Sequence, residues 1–324
     1  MPGRVLIVGA GPSGLATAAC LRQRGVRADL VDRHGMPGGA YRRIYAGITL
    51  ASPARYTALP GLEPRTAGEY ISVPQYRDYL GDYAAHHGLS VRKASVTRVQ
   101  REGRRFRVSF KAEEERYDAV VVATGMFDYP RRPAFEGRAE LTVLHAGEWQ
   151  GPQRLPGGRV LIVGGATSAI EIAQECAHAG LHPVLSVRGR LKVAPQRVLG
   201  RDLHDYIVVL LNSLPRALAR AYCEGRQSLP GTDLGFRELR RRGVIELRGA
   251  VSRIDGASVT FADGTRAEFD ALVAATGYRF DRSLLDAEVA PGLHVVGAPC
   301  AHRLSSEFLY GIAQDARKVA RCLS

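Results

Sequence analysis

The chain has 324 residues, 45% of them hydrophobic, and a formal net charge of +13 that comes almost wholly from arginine, since Lys93, Lys111, Lys192 and Lys318 are its lysines. That length and apolar content suffice for two domains of ordinary size. No run of about 18 apolar residues is present and the first residues enter a strand at once, so neither a membrane span nor a signal peptide is expected, and the location expected is cytoplasmic. The charge forms no basic stripe interleaved with aromatics, which excludes a nucleic-acid footprint and leaves a homodimer or an acidic carrier-protein partner open.

In chain order, the run RVLIVGAGPSG from Arg4 to Gly14 predicts an apolar strand, a glycine turn and the helix LATAACLRQRG. In such a turn Gly9 makes the tight bend from strand to helix, Gly11 lets the backbone approach a pyrophosphate, and Gly14 lets the helix pack closely on the strand. The helix start at Pro12 and Ser13 offers free N–H groups and a positive dipole end to phosphates. The next strand, ADLVDR, ends at Asp32 and Arg33. A carboxylate there accepts hydrogen bonds from an adenosine ribose and repels a 2′-phosphate, so the first site suits FAD or NAD. Alternating apolar residues in SVTRVQREGRRFRVSF predict a small antiparallel sheet, and DAVVVATG predicts a buried strand ending at Thr124 and Gly125. The cluster Gly151, Pro152, Pro156, Gly157 and Gly158 predicts a hinge.

The same plan then repeats. RVLIVGGATSA carries Gly164, Gly165, Thr167 and Ser168, with Ala166 and Ala169 where the second and third glycines would stand. PVLSVR ends at Arg188, with Arg190 beyond it, and guanidinium forks suit a phosphate monoester; the second site therefore reads as NADPH. DALVAATG closes the repeat at Thr276 and Gly277. Recurrence of all these pieces in the same order marks an internal repeat. The tail holds a short strand, LHVVGAP, containing Gly297, and a helix, SSEFLYGIAQDARKVARCL, expected to be capped by Ser305 or Ser306 with Glu307 in its first turn.

The expected fold class is α/β, with two Rossmann-like, three-layer (ββα/βαβ) dinucleotide-binding domains. The FAD domain is discontinuous, over residues 1–150 and 280–324, and the NADPH domain spans 157–279 with a helical insertion at 190–235. Within that insertion Tyr206–Leu218 reads as an amphipathic helix broken by Pro215, suited to a dimer face or a lid. The cysteines, Cys20, Cys176, Cys223, Cys300 and Cys322, show neither a Cys-x-x-Cys pair nor metal-ligand spacing. Cys20 and Cys176 read as packing residues, and Cys300, after the last strand, keeps a redox role open. No metal site and no catalytic side chain is identified, because no Ser-His-Asp order, paired carboxylates or histidine cluster occurs.

Over nearly its whole length the chain resembles the two-dinucleotide-binding-domain flavoproteins, most of all the flavin-containing monooxygenases and plant YUCCA-type enzymes. The matching pieces are VGAGPSGLATA, the acidic strand end at Asp32, PGGAY, SVPQYRDYLGDYAAHHGL, both ATG strand ends, the second glycine loop and VRGRLKVAPQ. The resemblance implies that Gly38 and Gly39 border the flavin before Tyr41, and that Thr124 and Thr276 lie where the domains meet their cofactors. It also implies that Gly297 and Leu309 bring the last helix's amino terminus to the isoalloxazine. The activity implied is hydride transfer from NADPH to FAD, then reaction with O2 to a flavin C4a-peroxide that gives one oxygen atom to a small-molecule substrate.

Departures from the family pattern bear on the oxygen step rather than on nucleotide binding. Of its F-x-G-x-x-x-H-x-x-x-aromatic motif, His145 and Trp149 keep the second half, while Phe135 and Gly137 stand too far upstream. Thr167 replaces an asparagine usual in the second loop. His302, Arg303, Tyr310, Arg55 and Tyr56 are candidates to hold an acidic or polar substrate. Two other readings stay open: an NAD(P)H-dependent reductase of disulfide, quinone or ferredoxin type, and a redox sensor. The bacillithiol disulfide reductase group places a cysteine where Ser13 stands.

Overall fold

The computed structural model describes residues 3–214, 223, 231–233, 235–285 and 290–324. Two parallel sheets of five strands each organise it. The first runs Leu293–Val295, Ala119–Val122, Val5–Val8, Ala28–Asp32, Val91–Lys93. The second runs Thr142–His145, Ala271–Ala274, Arg159–Val163, His182–Ser186, Glu246–Arg248. Each has the glycine-loop strand at its centre and the Ala-Thr-Gly strand beside it, so the sequence repeat is a repeat of topology.

Strands such as VLIV and AVVV are apolar throughout because both faces of their sheet are covered. On one face of the first sheet, α1 (Pro12–Gln23), α2 (Val73–His86) and the final helix (Leu309–Cys322) bury Leu15, Leu21, Tyr76, Tyr83 and Val319. On the other, the antiparallel sheet of Val96–Glu102, Arg105–Phe110 and Glu114–Tyr117 sets Phe106, Val108 and Tyr117 against Leu6, Val120 and Val122. The second sheet repeats the sandwich: α3 (Thr167–His178) covers one face, and a four-stranded sheet carrying Ile254, Val259 and Phe261 covers the other. Both units have three layers, as expected of the fold class. Cys20 and Cys176 are buried on α1 and α3.

Three expectations are corrected. The crossing into the second unit comes before the hinge cluster, because Glu136–Ala139 and Thr142–His145 already pair with strands of the second unit. The final helix starts at Leu309 with Phe308 as its N-cap and no side-chain cap; Ser306 Oγ instead accepts the N–H groups of His302 and Arg303, and Ser305 Oγ donates to Asn212. Cys223 and Cys300 are joined in a disulfide that ties the insertion to the loop after the last strand. In the insertion, α4 spans His204–Ser213, and residues 215–218 of the predicted helix lie outside the described residues.

Phe106 is 1% exposed at the centre of the antiparallel layer. Phe106→Ala should therefore lower unfolding free energy by about 3–5 kcal/mol, read from the urea midpoint at constant slope. A loss under 1 kcal/mol would show that this layer does not cover the core.

Candidate functional site

Two chain segments that follow strand ends define the first loop. Gly9 has φ +106°, and a Cβ on it would lie 2.5 Å from Ala123 O; a Cβ on Gly14 would lie 1.9 Å from Gly9 O. Turn, helix and neighbouring strand are thus pressed together by the absence of side chains. Gly11 differs: its φ is −76° and a Cβ there would meet nothing nearer than Gly39 Cα at 3.9 Å. It lines a cavity of about 650 Å³, so its backbone faces open space. The start of α1 has no side-chain cap, which leaves its first N–H groups for an anion.

Around that cavity stand Pro12, Ser13, Asp32, Arg33, Gly39, Tyr41, Thr124, Gly125, Gly297 and Leu309, all expected at the cofactor. Asp32 Oδ2 accepts from Ala10 N at 3.0 Å and Oδ1 from His34 N at 2.8 Å, which fixes its carboxylate at the strand end. Arg33 and Arg43 both pair with Asp128 at the cavity wall. Burial pushes the Asp128 carboxyl up, and the two guanidiniums more than offset this, leaving it below the usual range. Gly38 lies just behind the lining, its N–H donating to Ala10 O at 2.9 Å. At the far end the final helix enters uncapped, with Phe308, Leu309, Tyr310 and Ile312 in the wall.

The second loop copies the first. Gly164 has φ +149°, and its Cβ would lie 2.2 Å from Ala275 O. Here α3 likewise starts without a side-chain cap, after Ala166. Its first residue, Thr167, lines the same cavity as Gly9 and Gly11, so the two loops converge. Gly165 and Ser168 lie beside Thr167 and outside that lining, and Arg188 and Arg190 are exposed beyond the strand His182–Ser186. Thr276 and Gly277 do not reach the cavity. Thr276 Oγ1 donates to Arg131 O, and Gly277 O accepts from Arg131 N at 2.9 Å. Through these bonds, and a Phe127–Tyr278 ring contact at 4.9 Å, the two Ala-Thr-Gly turns hold each other.

His145 belongs to this junction. It is buried, its Nδ1 accepts from Gly147 N at 3.0 Å, and its Nε2 lies 3.1 Å from Gly277 O. Those partners put its hydrogen on Nε2. Trp149, also buried, donates to Glu175 at 3.0 Å. Both are structural residues of the crossing.

Of the substrate-binding candidates, Tyr310 alone lines the cavity. Arg55 and Tyr56 bind Asp205, Arg303 binds Asp315 and Gln314, and His302 lies 3.2 Å from Lys318. The insertion supplies what sequence reasoning missed: Ala194, Leu203, His204, Ile207 and Thr232 complete the wall. Their only sequence signal is their place in a segment longer than the repeat needs.

This arrangement matches known proteins. Residues 6–215 fit the family model of the pyridine nucleotide-disulphide oxidoreductases. The indole-3-pyruvate monooxygenase YUCCA1 of Oryza sativa subsp. japonica is 31% identical over 86% of this chain and 77% of its own. A flavin-containing monooxygenase from Stenotrophomonas maltophilia superposes with a TM-score of 0.83 at 25% identity, covering 98% of this chain and 97% of its own. The bacillithiol disulfide reductase Bdr of Staphylococcus aureus, at 16% identity and a TM-score of 0.78 over 99% of this chain and 97% of its own, shares the fold. The chain belongs to the pyridine nucleotide-disulphide oxidoreductase family and, within it, to the flavin-containing monooxygenases. It is a flavoprotein that uses a pyridine nucleotide, and among the described residues no helix is long and apolar enough to cross a membrane.

Two outcomes follow from this geometry. Gly11→Ala should leave the melting temperature of the FAD-free protein unchanged while weakening FAD binding at least about tenfold, measured by flavin fluorescence, because the lost N–H contacts would be to a charged phosphate. Equal FAD affinity would place the cofactor elsewhere. Burial also holds the His145 imidazole below its ordinary value, the Gly277 carbonyl opposing it, and His87, His294 and His302 shift the same way. The unfolded chain then takes up these protons at higher pH than the folded one, so their stabilisation is complete above pH ~6.5 and is lost as pH falls. The melting temperature should drop from about pH 7.5 to about pH 5.5, and His145→Gln should flatten part of that drop. An unaltered profile would remove His145 from the cause.

Proposed function

We propose that the protein is an FAD-dependent monooxygenase that takes electrons from NADPH and places one atom of O2 in a small-molecule substrate. The observation that carries this reading is the convergence of two glycine loops, each followed by an uncapped helix, on one cavity of about 650 Å³. Residues 1–135 and 280–324 would form the FAD domain, and 136–279, whose first two strands pair into the second unit, the NADPH domain.

Bound FAD would supply electron storage and the reaction with oxygen. The chain's part is to bind and orient. Asp32 would hold the adenosine ribose, and the backbone N–H groups of Gly11 and Ser13 would face the pyrophosphate, while Pro12, which has no N–H, presets the first helical turn. The uncapped start of the final helix, at Leu309, would set its positive dipole end against the reduced flavin's negative charge. At the second site, Gly164, Gly165, Thr167 and Ser168 would carry the nucleotide pyrophosphate, and Arg188 and Arg190 would pair with its 2′-phosphate. Apolar walls at Leu203, Ile207, Phe308 and Ile312 would keep water from the reacting atoms. Sulfur relay has no support here: Cys223 and Cys300 are paired with each other, and neither lines the cavity.

Mass spectrometry after incubation with NADPH, ¹⁸O₂ and an uncharged aromatic amine, a thioether or cyclohexanone tests the reading. One ¹⁸O atom in a product is expected; NADPH consumption with unlabelled products and full recovery of O2 as hydrogen peroxide would make the protein an oxidase or reductase. Separately, Arg188→Ala should raise the NADPH requirement about tenfold or more and change the NADH requirement little. Equal losses would defeat the 2′-phosphate assignment.

A further inference from the structure

The insertion is fastened to the first sheet's unit by a polar cluster that also reaches the cavity. Asp202, 1% exposed, is its centre. Its Oδ2 accepts from the Tyr70 hydroxyl and from Gln196 Nε2, and Gln196 also lies 3.4 Å from Ala51 O. Its Oδ1 accepts from the backbone N–H of His204 at 2.8 Å and lies 2.7 Å from His204 Nδ1. Burial pushes the Asp202 carboxyl up, and the hydrogen bonds from Tyr70, His204 and Gln196 outweigh it, leaving it below the usual carboxylate range. An ionised carboxylate can only accept, so in the neutral ring the hydrogen sits on Nδ1 and Nε2 keeps its lone pair.

A clamp would need the Nδ1 edge alone. His204 lines the cavity with Leu203, Ile207 and Tyr310, whose ring centroid lies 6.2 Å from the imidazole's, and with Nδ1 held by Asp202 the nitrogen left for a ligand is Nε2. Around it the walls contributed by the insertion and by the final helix with its lead are apolar, apart from Thr232, Tyr310 and Glu307, and among the described residues they include no lysine or arginine. Arg55 is committed to Asp205 and Arg303 to Asp315. Among the described residues of these walls, a substrate carboxylate would meet no lysine or arginine, and an unpaired charge is costly in an apolar wall.

We propose that His204 Nε2 is the hydrogen-bond acceptor by which this end of the cavity selects its substrate, a small, mainly apolar molecule carrying a hydroxyl or an uncharged amine and no carboxylate. This deepens the monooxygenase reading and rests on it for placing substrate at the end of the cavity formed by the insertion.

The test is binding to the FAD-loaded protein, read from the bound flavin's fluorescence without turnover. Four probes share a phenyl-sized apolar body: 2-phenylethanol, 4-ethylaniline (uncharged at neutral pH), propylbenzene and 3-phenylpropanoate. The alcohol and amine should bind about tenfold or more tightly than the other two, since propylbenzene leaves a polar nitrogen unpaired and the acid brings an uncompensated charge. His204→Asn keeps a side-chain donor for Asp202 and deletes the cavity-facing nitrogen; it should abolish that preference with FAD content and melting temperature unchanged. His204→Gln, which restores a polar atom near the Nε2 position, should recover part of it. Equal or absent binding of the probes, preference for the carboxylate, or a preference that survives His204→Asn would overturn the proposal. Failure of ¹⁸O transfer with the preference intact would instead sink the monooxygenase reading.

Discussion

Everything in this molecule depends on how closely a glycine turn can press a strand, a helix and a neighbouring strand together. At Gly9 and Gly164 the carbonyl of the adjacent strand end, Ala123 or Ala275, occupies the place a side chain would take. That contact fixes where each following helix begins. Because both helices begin without a side-chain cap, each points unsatisfied N–H groups out of the sheet's carboxyl edge, which is where ligands bind in parallel α/β sheets. Two such edges, turned towards one another by the crossing at Arg131, Gly277 and His145, give one cavity where a single unit would give a shallow crevice.

Local chemistry made much of this legible in the sequence. Gly9, Gly14 and Gly164 could be assigned because the turn demands residues without side chains. The two-unit plan followed from a repeated set of apolar strands, and Asp32 stands at the cavity because it ends the strand next to the loop. What escaped was set by packing between segments far apart in the chain. The disulfide joins cysteines 77 residues apart, and Asp202 and His204 gain their meaning from Tyr70, on a strand of the other unit. A local rule also misled: Ser305 and Ser306 look like helix caps, yet their hydroxyls hold a turn and α4 while the helix starts beyond them. An uncapped start is what a ligand-facing helix needs, so the failed cap is itself informative.

The insertion shows how one fold can hold its cofactors and still vary its substrate. The nucleotide-facing surface is built from backbone and glycine, which tolerate little change. The wall opposite comes from a segment attached by side-chain bonds, Asp202 to Tyr70, Arg197 to Glu69, Arg55 to Asp205 and Asn212 to Ser305, together with one disulfide. Of its cavity-lining residues, Leu203, His204 and Ile207 belong to none of the core clusters of either sheet.

The central claim is that two dinucleotides meet in one cavity, and rapid mixing tests it most directly. FAD-loaded protein would be mixed with NADPH in the absence of oxygen while the visible band of the oxidised flavin is followed. The account predicts bleaching that saturates with NADPH concentration and needs no added carrier, as direct hydride transfer within one complex requires. A flavin that stays oxidised with NADPH bound, or is reduced only through an added mediator, would contradict it.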